Sequence, residues 1–175
     1  MNSDKLFILT AVLVFLSIAV ESLSLLFQLS NKRLTKWFKD NDFNVHAGIT
    51  VLFWTGMTVS FVFLQFKQHP DFYSQIIFLR IIGLWLLTAG LVISVWGFLM
   101  LGLKRSLGIN FFRADVPIVN KSIYKYMNNP ETIGLCTALF GFALFTGSVY
   151  NLIIAIEFTV LMIPHTKLEN IPVKH

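Results

Sequence analysis

The stretch IGLCTALFGFALFTGSVYNLIIAIEFTVLMI, Ile133 to Ile163, decides the architecture. It is too long for one crossing of the hydrocarbon core, which takes ~20 helical residues. It is also broken by Thr146-Gly147-Ser148, small residues of the kind that make turns. Two shorter helices in a hairpin are the expected reading, with one long tilted helix as its competitor. Working outward, Leu6 to Leu29, Ala47 to Phe66 and Ile76 to Leu103 are three further apolar runs, each long enough to span a bilayer. The expectation is therefore an all-α polytopic membrane protein, one integral-membrane domain over residues 1–175, with three long transmembrane helices and a C-terminal helical hairpin.

Composition points the same way. Hydrophobic residues make up 55% of the chain and charged residues 13%, with a mean hydropathy of +0.70, too little charge to clothe a water-soluble surface. The single cysteine, Cys136, sits in an apolar run, which rules out an intramolecular disulfide and reads as a small packed residue. Ser17-Ile18-Ala19 offers a small-residue cleavage site behind Lys5, but apolarity continues to Leu29, so the segment reads as a membrane helix.

Charge assigns the sides. Eleven of the fourteen cations fall in the first loop (Lys32, Arg33, Lys36, Lys39), the third loop (Lys104, Arg105, Arg113, Lys121, Lys125) and the tail (Lys167, Lys174); only Lys5, Lys67 and Arg80 fall opposite. By the positive-inside rule, loops 30–46 and 104–132 and the C-terminus are cytoplasmic. That assignment holds only if the last stretch is a hairpin. The net charge of +5 is spread over juxtamembrane loops and not along one soluble face, so anionic lipid headgroups are a better partner than nucleic acid. Within Asn31 to Asp40, Leu34, Trp37 and Phe38 alternate with cations at helical spacing, as a short interfacial helix or a connecting loop with aromatic anchors would.

Polar residues inside the apolar runs must be satisfied by protein or water. Thr10, Ser17, Glu21, Ser24 and Gln28 form one stripe along the first helix. Glu21 there is either a structural pair with another helix or a substrate contact. Glu157, midway along the last helix on the face of Tyr150, is a buried hydrogen-bonded acid or a ligand contact. Arg80 can snorkel to the headgroups. His46, His69, His165 and His175 show no helical pairing with carboxylates or one another, read as ordinary interfacial residues, and suggest no metal site. Gly83, Gly90 and Gly97 repeat every seven residues, a flat strip where another backbone can approach; Gly134, Ala138, Gly141, Ala143 and Gly147 give the hairpin tight contacts or room for a ligand.

Two motifs carry a resemblance. Trp96 to Gly108 (WGFLMLGLKRSLG) and Ile118 to Gly134 (IVNKSIYKYMNNPETIG) resemble the integral-membrane methyltransferases, including phosphatidylethanolamine N-methyltransferases and isoprenylcysteine carboxyl methyltransferases. The Asn-Pro variant and the short Gly-rich hairpin look more like the phospholipid amine branch. The chain departs from the pattern at Lys104, at Ser122-Ile123 and at Thr132, and its tail after the last helix is short. Direct alignment places His165 and Thr166 where the family has an acidic pair; a shift of about one turn brings Glu169 and Asn170 there instead.

The resemblance implies S-adenosylmethionine as methyl donor, bound by a half of the domain at about residues 96–170, with Gly102, Tyr124, Asn129, Pro130, Gly134 and His165 shaping its pocket. It implies a membrane lipid as acceptor, with the amine headgroup of an ethanolamine phospholipid favoured. Glu157 and Glu169 are the candidate catalytic carboxylates, and Lys104 and Arg105 the candidate partners of the lipid phosphate. The expected location is the endoplasmic reticulum in a eukaryote or the inner membrane in a bacterium. The alternatives are a catalytically inactive binding or assembly protein on the same scaffold, or an enzyme of the isoprenylcysteine branch; a transporter-like or reductase-like membrane protein is a more distant one. From the residues alone, Pro130 suits the first turn of a helix, so the hairpin is expected to start there.

Overall fold

The computed structural model describes residues 2–67, 76–113 and 122–171. Lys121, Lys174, His69, His175 and the Ile118 end of the second motif lie outside the described residues. The elements are α1 (Ser3–Asn31), α2 (Arg33–Phe38), α3 (Asp42–Lys67), α4 (Ile77–Leu101), α5 (Leu103–Ser106), α6 (Pro130–Thr146) and α7 (Val149–Glu169), with short 3-10 turns at Lys39–Asn41, Ile109–Phe111 and Ser122–Lys125. No strand occurs among the described residues, and the protein is an all-α polytopic membrane protein. Four helical segments are long and apolar enough to cross a membrane. Residues such as Phe66, Ile77, Trp85 and Leu99 are largely exposed on their outer faces, as helices solvated by lipid require.

The hairpin forms at the expected turn. Gly147 takes a left-handed conformation (φ +68°) that ends α6, and Ser148 caps α7 by accepting from the Asn151 amide. The hairpin's second arm is longer than expected. α7 does not stop at Ile163 but runs through Pro164 to Glu169, and its 21 residues suffice to span. A proline in a membrane helix forfeits one amide bond, which neighbouring structure can absorb. The extension turns Glu169 from a tail residue into one on the helical face of His165. α6, at 17 residues, is the short arm, about 25 Å long at 1.5 Å per residue.

α1 is the centre of the packing. Leu6, Val14, Ile18 and Leu25 alternate with the buried polar residues Thr10, Ser17, Glu21 and Gln28 on one stripe, as the sequence pattern predicts. That stripe meets α3 and α7, where Leu64, Ile154, Phe158 and Met162 complete the main core. A second, smaller cluster of Leu25, Leu34, Phe111, Phe112 and Leu168 closes the bundle at the end where α1 finishes and α3 begins. α2 is a single short helix with Leu34 buried against the protein and Trp37 and Phe38 exposed, so six residues of that loop are helical.

α4 lies outside this core and is held by α6 through small residues, the densest helix pairing in the molecule. A Cβ added at Gly90 would stand 2.6 Å from the Gly134 carbonyl oxygen, and one at Gly83 2.8 Å from that of Gly141. Backbone therefore lies on backbone along the whole strip. The small residues of both helices serve packing, leaving no room for a ligand on that face.

Candidate functional site at the ends of α4, α6 and α7

The antiparallel order brings the ends of α1, α4 and α7 and the starts of α3 and α6 to one end of the bundle. Its polar residues fall into two linked groups. In the first, Glu21 on α1 is buried and its Oε2 accepts from Trp54 Nε1 of α3 at 2.8 Å. Its Oε1 stands 4.0 Å from Nε2 of His165, which in turn lies 3.3 Å from Oε1 of Glu169. The other ring nitrogen, Nδ1, is 2.9 Å from Ser22 Oγ. Asn129 Nδ2 donates to Glu169 Oε2 at 2.9 Å, tying the start of α6 to the end of α7. Asn129 occupies a left-handed conformation (φ +51°), which asparagine tolerates better than most residues, and Pro130 follows it as the first residue of α6, as expected.

The second group centres on Glu131. Its Oε1 accepts from Tyr124 Oη and from Ser106 Oγ, each at 3.0 Å. Burial, followed by the neighbouring Glu131 carboxylate, pushes the Tyr124 phenol above its ordinary value, so it remains a neutral donor. Arg105, half-buried on α5 next to Tyr124, has its own value lowered by burial, while Lys104 is exposed. Gly102 ends α4 with φ +80°, its amide bonded to the Phe98 carbonyl at 2.8 Å. Gly134, one turn into α6, faces α4 and packs against Ser94.

Two expectations need correction. Glu157 is half-buried, makes no hydrogen bond or ion pair among the described residues, and stands twelve residues from Glu169, about 18 Å along the helix. The fold does not bring it to the cluster. Nor are His46 and His165 ordinary interfacial histidines: both are 2% exposed. His46 lies between Ser24 Oγ at 2.6 Å and the Leu107 carbonyl at 3.1 Å. The reading that no histidine pairs with a carboxylate at helical spacing fails at His165 and Glu169, which are i,i+4. That spacing was readable; it was hidden by ending the helix before Pro164.

Glu131, Trp54, Ser22 and Asp42 escaped the sequence reading altogether. Asp42, fully buried, accepts from Thr35 Oγ1 at 2.6 Å and pairs with Arg113 at 2.9 Å, pinning the α2 corner to the segment after α5. A carboxylate opening a helix was its only signal.

Beside the cluster, α6 and α7 diverge to leave an open groove of about 430 Å³. Its mouth carries Asn128, Asn129, Thr132, Thr166 and Asn170; deeper along its walls lie Ile133, Cys136, Phe140, Met162 and Ile163.

The model of the phospholipid methyltransferase family matches residues 78–173, from the first turn of α4 past the end of α7 and more than half of the chain. No curated protein and no solved structure matches the chain. The matched stretch holds Tyr124, Glu131, Asn129, His165 and Glu169 together with the groove beside them, and the chain belongs to the phospholipid methyltransferase family.

Proposed function

We propose that this protein methylates the amine headgroup of a membrane lipid, an ethanolamine phospholipid, with S-adenosylmethionine as donor. The observation that supports this most is the convergence of Glu169, Asn129 and Glu131 at one end of the bundle, next to a groove that runs from polar mouth to apolar depth.

The residues present suit the donor. It carries an ammonium, a sulfonium and a carboxylate, so it needs anionic acceptors and free donors close together. Glu169 and Glu131 are the acceptors. The Thr132 amide precedes the first bond within α6, which Ile133 makes to the Asn129 carbonyl at 3.1 Å, and Thr132 lines the groove, where its amide suits a carboxylate. A sulfonium-bound methyl group is the electrophile that S-adenosylmethionine supplies.

The chain's own residues contribute alignment and proton handling. An ethanolamine headgroup is cationic in water and must lose a proton before its nitrogen can attack. Glu169 takes that N–H proton on a carboxylate oxygen, while His165 and Asn129 fix the carboxylate's orientation. Tyr124 and Ser106 fix Glu131 in the same way. Arg105 and Lys104, at the end of α4, hold the lipid phosphate. Holding nucleophile and methyl group in line supplies most of the acceleration, since no covalent intermediate is needed.

One observation favours the inactive alternative: both oxygens of Glu169 already have protein partners. Titration calorimetry on the detergent-purified protein decides between them. Saturable heat with S-adenosylmethionine or its demethylated product is the expected result; its absence overturns the enzyme reading. Glu169→Gln should weaken donor binding about tenfold, a loss of about 1.4 kcal/mol. Lipid mass spectrometry of cells with and without the chain should then show headgroup masses rising by successive CH₂ units.

A further inference from the structure

Below Asn129 and Thr132 at its mouth, the groove between α6 and α7 has no role in the chemistry above, and its walls are unlike the cluster beside it. From Thr132 to Phe140 it runs eight residues along α6, about 12 Å at 1.5 Å per residue, from the end of the bundle toward the middle of the membrane. Its wall hydroxyls are spent within their own helices. Thr137 donates to the Ile133 carbonyl and Thr159 to that of Ala155, each at 2.8 Å, so both threonines are free to present methyl groups. Ile133, Phe140 and Met162 supply the rest of an apolar wall. A headgroup buried at that depth would find few partners for its charge, a costly arrangement. A hydrocarbon chain would meet no polar mismatch on leaving the bilayer for such a wall.

The mouth has the opposite character. Asn129 lines it and is bonded to Glu169, whose side chain is 27% exposed. An anionic, amide-rich rim complements a cationic amine, and it lies one lipid headgroup away from an apolar slot. We propose that the α6–α7 groove binds one acyl chain of an amine phospholipid drawn from the surrounding bilayer, placing its headgroup at the Asn129–Glu169 rim. The other chain stays in the membrane, because the groove is open and not an enclosed cavity. Identifying the lipid as the methyl acceptor rests on the function proposed above; occupation of the slot by an acyl chain does not.

Photo-crosslinking tests this directly. The full chain is reconstituted in vesicles of neutral phospholipid doped with an ethanolamine phospholipid that carries a diazirine in the upper part of one acyl chain. Adducts are mapped by mass spectrometry after illumination. Adducts on Ile133, Cys136 and Thr137 should saturate as the probe fraction rises, whereas those on the outward face of α7 at Val160 should grow in proportion to it. Ile163→Trp, at a 52%-exposed groove position, should reduce the groove adducts at least fivefold. Val160→Trp, at a 58%-exposed position outside the groove, should leave them unchanged and controls for folding.

Groove adducts that rise in proportion to the probe, or that survive Ile163→Trp, overturn the proposal. Competitive suppression of the groove adducts by the demethylated donor product would assign the slot to the donor and also overturn it. Saturable groove adducts in a protein that gives no donor heat would leave the slot standing and remove only the methylation reading.

Discussion

At the scale of single residues, the polar end of the bundle is a set of buried groups whose cost is met one bond at a time. Glu21 is the clearest case. Its carboxylate sits among apolar side chains, accepts from Trp54 and faces His165. Trp54→Phe keeps most of the ring's packing but removes a donor, and should destabilise the protein by about 1–3 kcal/mol, measured by denaturant titration in mixed micelles. Tyr124 offers a test through pH. Its phenol is held above its ordinary value of 10.0 by burial and then by Glu131. Because the folded value is the raised one, its contribution to stability is complete below about pH 10 and is lost as pH rises through the folded value. Tyrosinate absorbance should show a late-titrating component, and Tyr124→Phe should lower its amplitude by one phenol. What the sequence concealed at this scale is partnership across long separations. The stripe from Thr10 to Gln28 announces that Glu21 faces protein, but nothing in the chain's order joins residue 21 to residues 54 and 165.

At the scale of elements, periodicity carried the reading well and punctuation carried it less well. Gly83, Gly90 and Gly97 predict a close helix contact at a seven-residue repeat, and α6 supplies the matching small residues. The Thr146-Gly147-Ser148 turn falls where its residue types place it. The end of the last helix was less legible: apolarity stops at Ile163, whereas the surrounding bundle carries α7 through Pro164 and onward for five more residues. With the helix taken only to the end of the apolar run, the His165–Glu169 pairing is not seen, and Glu157 stands beside Glu169 as a candidate acid for its place in the middle of the helix. The glycine strip allows a paired test. Gly90→Ala forces a methyl group against the Gly134 carbonyl and should cost about 1–3 kcal/mol, with α4 parting from α6. Gly56→Ala, where an added Cβ meets nothing within 4 Å, should be neutral or gain up to about 1 kcal/mol from helix propensity. Equal losses at both positions in thermal unfolding would mean that close packing is not what holds α4.

At the scale of the whole molecule, α1, α3, α4, α6 and α7 alternate in direction, which sets Asp4, Gln65, Tyr150 and Asn151 at one end and Asp42, Asn129 and Glu169 at the other. The contacts say so independently of any membrane: Tyr150 donates to Asp4, and Gln65 exchanges hydrogen bonds with Asn151 at 3.0 and 3.1 Å, far from the carboxylate cluster. Five alternating helices put the start of α1 and the end of α7 on opposite sides. Lys32, Arg33, Lys36, Lys39, Lys104, Arg105, Arg113, Lys125 and Lys167 all fall at the cluster's end, where the positive-inside rule predicts the cytoplasm and a water-soluble methyl donor would have access. In a Cys136→Ala background expressed in a bacterial inner membrane, single cysteines replacing Lys39 and Lys167 should therefore resist an inner-membrane-impermeant maleimide in intact cells and react after permeabilisation. A cysteine at Asn2 should react at once. Labelling of the Lys39 and Lys167 positions from outside would invert the molecule, put the Asn129–Glu169 rim on the wrong face for a cytosolic donor, and remove the basis for methylation at that end of the bundle.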